Sequence, residues 1–171
     1  MDDEFEEFVR ARTPALLRSA YLLTGDQHLA EDLVQTALAR THGSWRRLER
    51  AGNADAYTRK VMYHLQVRRW RRRRFAETPL EHVPEQARNL AVPDGGDLSD
   101  AGVDLRRALL RLAPRQRAVL VLRYFEDRSE ADAAALLGCS IGTIKSQSAK
   151  GLARLRVLMA AEPEAQGVRR A

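Results

Sequence analysis

Apolar residues recur every three or four positions along most of the chain, and no stretch alternates long enough to make a strand. Phe5, Phe8, Val9, Leu16, Leu17, Ala20, Tyr21 and Leu23 form the first stripe, and the acidic DDEFEE run ahead of it suits the positive end of a helix dipole. Pro14 predicts a fresh helix start within that stripe, and Thr24-Gly25-Asp26 predicts its end. Leu29, Leu33, Val34, Ala37 and Leu38 predict a second helix, from Asp26 or Gln27 to about Trp45, with Glu31, Asp32 and Gln35 on its outer side. Arg46 to Asn53, with Gly52-Asn53, reads as a loop. Helical spacing returns from Ala54 to Arg74 through Tyr57, Val61, Leu65 and Trp70. From Phe75 to Val103, three prolines, Gly95-Gly96 and scattered acids erase the period, which predicts a linker. The pattern resumes near Asp104 through Leu105, Leu109, Leu112, Val119, Leu120, Leu122 and Phe125, with Pro114 opening a helix. After Met159 no apolar face remains, and a disordered tail is expected.

The segment from Ser129 to Leu158 has the spacing of a helix-turn-helix. Ala134 stands four residues before Gly138 and Ile144 six after it. A small residue lets two helices cross closely, a glycine makes the left-handed turn, and an apolar residue fills the gap between them. Ser129 and Asp132 have capping-box spacing, with Asp in place of Glu or Gln, and Ser140 can cap the second helix. Ile141, Ile144, Leu152, Leu155 and Leu158 fall on one side of that helix. Thr143, Lys145, Ser146, Gln147, Lys150 and Arg154 face away from it. The plain alternative is a helical hairpin inside an enzyme core. A solvated face normally mixes acids with bases, however, and no acid lies between Asp132 and Glu162, which favours a polyanionic partner.

Charge sharpens this picture. The chain has 171 residues and a formal charge of +6. Residues 1–74 carry 15 bases and 10 acids, residues 75–103 carry 1 and 6, and residues 104–171 carry 13 and 7. Two basic modules therefore flank an acidic connector. At the end of the first module Arg68, Arg69, Arg71, Arg72, Arg73 and Arg74 surround Trp70. A charged helix terminus is the bland reading, but so many adjacent cations repel one another, and a phosphate backbone is their natural counter-charge. Tyr57, Tyr63 and Trp70 could stack on unpaired bases, with core packing the alternative for Tyr57.

Other chemistry is excluded more simply. Cys139 is the one cysteine, so no intramolecular disulfide or cysteine metal cluster can form, and its place in the turn suits a half-buried filler. His28, His42, His64 and His82 lack metal-ligand spacing, so no metal and no cofactor are expected. The longest aliphatic run is Ala118 to Leu122 and the N-terminus is acidic, which predicts a soluble, cytoplasmic chain with no membrane contact. No Gly-rich phosphate loop, His-Glu-x-x-His pattern or nucleophile motif is present, so no enzyme and no small-molecule substrate are expected.

Four runs in order, AEDLVQTALARTHGSW (30–45), ADAYTRKVMYHLQVRRWRRRR (54–74), LRRALLRLAPRQRAVLVLRYFED (105–127) and GTIKSQSAKGLARLR (142–156), resemble those of the extracytoplasmic-function (ECF) sigma factors. These are small two-domain promoter-recognition subunits of bacterial RNA polymerase, and the resemblance covers roughly Phe5 to Leu158. It implies an all-α fold of two small helical domains, at 1–74 and 104–159, joined by a flexible acidic linker at 75–103 and followed by a tail at 160–171. It further implies that Glu31, Asp32, Leu33 and Gln35 dock on the clamp helices of the largest polymerase subunit, and that the flap of the second-largest subunit and an anti-sigma factor are further partners. For the −10 element it points to Tyr57, Arg59, Lys60, Tyr63, His64, Arg68, Arg69, Trp70, Arg71 and Arg72. His64 and Arg68 stand where the family often has Asn and Asp. For the −35 element the face already described supplies Ser140, Thr143, Lys145, Ser146, Gln147 and Lys150, with Arg115, Arg117 and Arg154 as backbone anchors. A stand-alone LuxR-type regulator is the rival. It would account for residues 104–158 but not for the Arg-rich helix or the alternation of charge.

Overall fold

The computed structural model describes residues 2–76 and 100–167, and every regular element among them is helical. The first half comprises α1 (Asp2–Thr24), α2 (Gln27–His42), α3 (Trp45–Arg50) and α4 (Ala54–Ala76). The second comprises α5 (Asp100–Leu110), α6 (Pro114–Leu120), a π-helical turn at Val121–Phe125 that continues α6, α7 (Glu130–Leu137) and α8 (Ile141–Gly167). Most of the predicted linker, and the tail beyond Gly167, lie outside the described residues. Among the described residues no helix is long and apolar enough to cross a membrane.

Several boundaries differ from the sequence pattern for identifiable reasons. Pro14 lies inside α1 instead of opening a new helix. The missing N–H leaves only the carbonyl of exposed Arg10 without its helical donor, and water can reach that position. Residues 45–50 form α3 where a loop was expected, because Trp45 and Leu48, one turn apart, are buried with Ala54 against Phe5, Phe8 and Tyr57. α2 ends at His42, ahead of Gly43, and not at Trp45. α8 runs past Met159 to Gly167, with Pro163 inside this last stretch between the helix-favouring Ala, Glu and Gln. Leu105, Phe125 and Ile141, read as inward-facing, are 41%, 51% and 45% exposed. Phe125 and Ile141 stand at the ends of their elements, where the partner surface runs out, whereas Leu105 is in the middle of α5.

Leu16, Ala20, Leu33, Val34, Ala37, Met62 and Tyr63 from the first half share one continuous core with Ala118, Val119, Val121, Leu122, Ala133, Ala134 and Ile144 from the second. Gly25 marks the seam. Its φ of +70° ends α1, and a Cβ there would lie 2.5 Å from a methyl of Leu110. Within the first half, the Thr41 and Thr58 hydroxyls meet at 2.8 Å between α2 and α4, fully buried. Each also lies close to the carbonyl one turn back, Thr41 donating to Ala37 O at 2.9 Å or Thr58 to Ala54 O at 2.8 Å.

Candidate nucleic-acid interface

The helix-turn-helix is built as its spacing demands. Ser129 Oγ accepts the Asp132 N–H at 3.0 Å and opens α7. Gly138, at φ 65° and ψ 40°, closes it in the left-handed conformation, and the Cys139 N–H returns to Ala134 O at 3.1 Å. Ser140 Oγ accepts the Thr143 N–H at 3.1 Å and starts α8. Ala133, Ala134 and Ile144 are buried where α7 and α8 cross, and Cys139 is half-buried beside them. The opposite face of α8 presents exposed Ser140, Lys145, Ser146, Lys150 and Arg154, with Thr143 and Gln147 half-buried between them. Lys145 Nζ stands 3.8 Å from Glu130, an exposed pair too loose to hold it from an incoming phosphate.

Arg115 is exposed, but Arg117 is no DNA anchor in this structure. It is 9% exposed and donates to Leu23 O at 2.7 Å, Leu109 O at 2.9 Å, Leu110 O at 2.8 Å and Leu112 O at 3.2 Å. Burial pushes its guanidinium down to about 10, so it stays charged at neutral pH.

Along α4, Lys60, His64, Arg68, Arg71 and Arg72 are exposed and line a cationic helix surface. Arg69 is half-buried and pairs with Asp32 of α2 at 2.8 Å. Trp70 is half-buried beside Val67, Pro114 and Ala118, and Tyr57 packs at the edge of the Trp45 cluster. Two expected contacts fail here. Arg59 is 8% exposed and Tyr63 is fully buried, both drawn to Glu126 of the second half at 2.7 Å and 3.2 Å. Burial, and then the nearby Glu126 charge, raise the Tyr63 hydroxyl well above its ordinary pKa. Burial alone would lower Arg59, but Glu126 and Asp55 outweigh it and raise it.

On α2, Asp32 and Gln35 are exposed and Glu31 is half-buried, held by Gln27 Nε2 at 3.1 Å. Leu33 is 3% exposed and belongs to the core instead of the docking edge. Position 33 shares the helix stripe of Ala30 and Ala37, which fixes it inward. An open hollow of about 400 Å³ lies over His42, Gly43, Ser44, Trp45, Arg46 and Arg47 at the α2–α3 turn. Glu126, Ser19 and Arg128, which join the two halves, carry no sequence signal, because helical spacing marks a buried face without naming its partner.

Residues 8–76 match the family model described as Sigma-70 region 2, and residues 102–155 that described as Sigma-70, region 4. The chain is 45% identical to the RNA polymerase sigma-E factor of Streptomyces coelicolor, over 98% of this chain and 93% of that one. It is 31% identical to the ECF RNA polymerase sigma factor SigE of Mycolicibacterium smegmatis, covering 91% of this chain and 62% of that protein. Among solved structures it resembles the sigma factor RpoE in its complex with the anti-sigma factor NepR from Bartonella quintana. That match has a TM-score of 0.70 and 28% identity, and covers 93% of this chain and 98% of that one. The region 2 match removes the LuxR-type reading, which leaves residues 8–76 without a role. In sequence and in fold, the chain belongs to the ECF sigma factors of the sigma-70 family.

Proposed function

We propose that this chain binds core bacterial RNA polymerase in the cytoplasm and directs promoter recognition, −10 melting and transcription initiation, as a non-catalytic subunit. The observation that carries this reading is the donor-rich, carboxylate-free face of α8 beyond the Gly138 turn, on a chain whose other half presents a second cationic helix. Thr143, Lys145, Ser146, Gln147 and Lys150 read the −35 duplex in the major groove, with Ser140 at the helix start and Arg115 and Arg154 on the backbone. Lys60, His64, Arg68, Arg71 and Arg72 track the −10 strand. The hollow above Trp45 to Arg47 supports the capture of an unstacked base, whose flipping costs a few kcal/mol that a pocket must offset. Asp32 and Gln35, with Glu31 beside them, offer an acidic edge to the clamp helices of the polymerase, and the flap meets the second half. Residues 1–74 and 104–159 act as the two reading modules and 75–103 as the tether between them. An anti-sigma factor is a further proposed partner, as the relative solved with NepR suggests.

Transcription in vitro from a promoter panel, with and without core polymerase, tests the assignment. Core-dependent initiation is expected, and duplex binding by the isolated protein with no core-dependent initiation overturns it. Gln147→Ala should relax discrimination at one −35 position by about 1–3 kcal/mol. Lys150→Ala should weaken every sequence alike, and equal losses on all promoter variants would remove Gln147 from the reading set.

A further inference from the structure

The seam between the halves holds a polar cluster centred on Glu126, which follows the π-helical turn and whose side chain is 5% exposed. One of its oxygens receives Ser19 Oγ at 2.5 Å, Arg59 Nη1 at 2.7 Å and Tyr63 Oη at 3.2 Å. All three donors come from the other half, two of them from α4. Acids and bases from both halves extend the network, with Arg12 Nε also 3.8 Å from Asp55. Arg59 Nε is 3.0 Å from Asp55, Arg128 Nη2 is 3.6 Å from Asp55, and Arg128 Nε is 3.8 Å from Glu126. The network is incompletely satisfied, since Glu126 Oε2, Arg128 Nε and Asp55 Oδ1 are buried without a hydrogen bond. A buried ionic cluster left in that state holds its elements together less firmly than an apolar seam would.

A guanidinium and a phenol hydroxyl converging on one carboxylate oxygen are the donors that a phosphate oxygen takes from a DNA-binding helix. Both donors stand on α4, whose exposed side carries Lys60, His64 and Arg68. We propose that the Glu126 carboxylate occupies, within the chain itself, the place of a DNA phosphate. It withdraws Arg59 and Tyr63 from the −10 surface until the two halves part. This rests on the assignment of α4 to the −10 strand. Arg59 and Tyr63, misplaced as exposed contacts in the closed chain, become contacts of the opened one.

The test uses the full chain with Cys139→Ser and spin labels at Ala51→Cys and Ala153→Cys, two exposed positions in opposite halves. Glu126→Gln keeps the shape of the side chain and removes its charge. It should add a population at longer label separation and raise affinity for mixed-sequence single-stranded DNA, without polymerase, by roughly tenfold if the closed form dominates. Arg59→Gln should open the seam equally and gain no such affinity, because it deletes the hidden donor. Unchanged distances in Glu126→Gln, or an equal affinity gain in Arg59→Gln, overturns the proposal. If Glu126→Gln loses helicity, Ser19→Ala decides the matter. A smaller shift in the same direction supports the latch, and no shift overturns it. Core-dependent transcription by the unmodified chain separates the two readings: its absence defeats the promoter-directing function, and its presence with an unmoved seam defeats the latch alone.

Discussion

Arg117 commits its guanidinium to main-chain carbonyls at the ends of two helices, Leu23 of α1 and Leu109 and Leu110 of α5, and to Leu112 beyond. The Leu23 and Leu110 carbonyls stand at helix ends with no donor within their own helices, and Leu109 O takes the Leu112 N–H as well, so the side chain acts as a shared cap. Arg117→Ala leaves buried carbonyls unsatisfied and should destabilise the fold by at least about 1–3 kcal/mol, read as a lower urea midpoint. Arg115→Ala, at an exposed position, should stay within about 0.5 kcal/mol. A DNA anchor would give the opposite result, an unmoved midpoint and weaker promoter binding. Residue type and spacing could not separate the two roles, since an arginine between two apolar helices looks the same whether it faces carbonyls or solvent.

Local chemistry sets the elements that the sequence discloses best. The turn between α7 and α8 was legible because its requirements are met within a dozen residues: a hydroxyl cap, a small crossing residue and a glycine at positive φ. Gly138→Ala should cost about 1–2 kcal/mol, because no atom lies within 4 Å of the added Cβ and the cost is that of backbone conformation alone. Thermal melting measures it, and a change near zero would mean that the turn relaxes out of the left-handed region. Elements fixed from a distance were less legible. α3 exists because Phe5 and Phe8, some forty residues earlier, give Trp45 a place to pack, with Phe5 and Trp45 ring centroids 5.1 Å apart. α1 tolerates Pro14 because the exposed side of the helix absorbs the lost bond.

Across the whole molecule, two modules were readable from charge and periodicity, and their shared core was not. Ala133 and Ile144 look like the inside of a helix-turn-helix, and nothing in their spacing says that Leu16 and Tyr63 continue the same core. This packing predicts one cooperative unfolding transition for the closed chain, with an alkaline limit. The folded state holds the Tyr63 proton well above the ordinary value near 10, whereas the unfolded chain releases it there. Above that pH the folded state binds more protons, so stability is whole below about pH 10 and falls as pH climbs toward the raised value. Tyr63→Phe should flatten the decline above about pH 10 in urea melts, leaving the part due to Tyr21, which burial also raises. An identical slope in the variant would show that Tyr63 ionises freely in the folded chain. The Thr41–Thr58 hydroxyl pair extends beyond stability. A polar pair inside an apolar contact favours one register, since sliding one helix by a turn would break the bond between the hydroxyls and leave each only the carbonyl of its own preceding turn. α2 and α4 are thereby held in one register, so under the proposed function a polymerase gripping α2 sets in advance where α4 meets the opened strand.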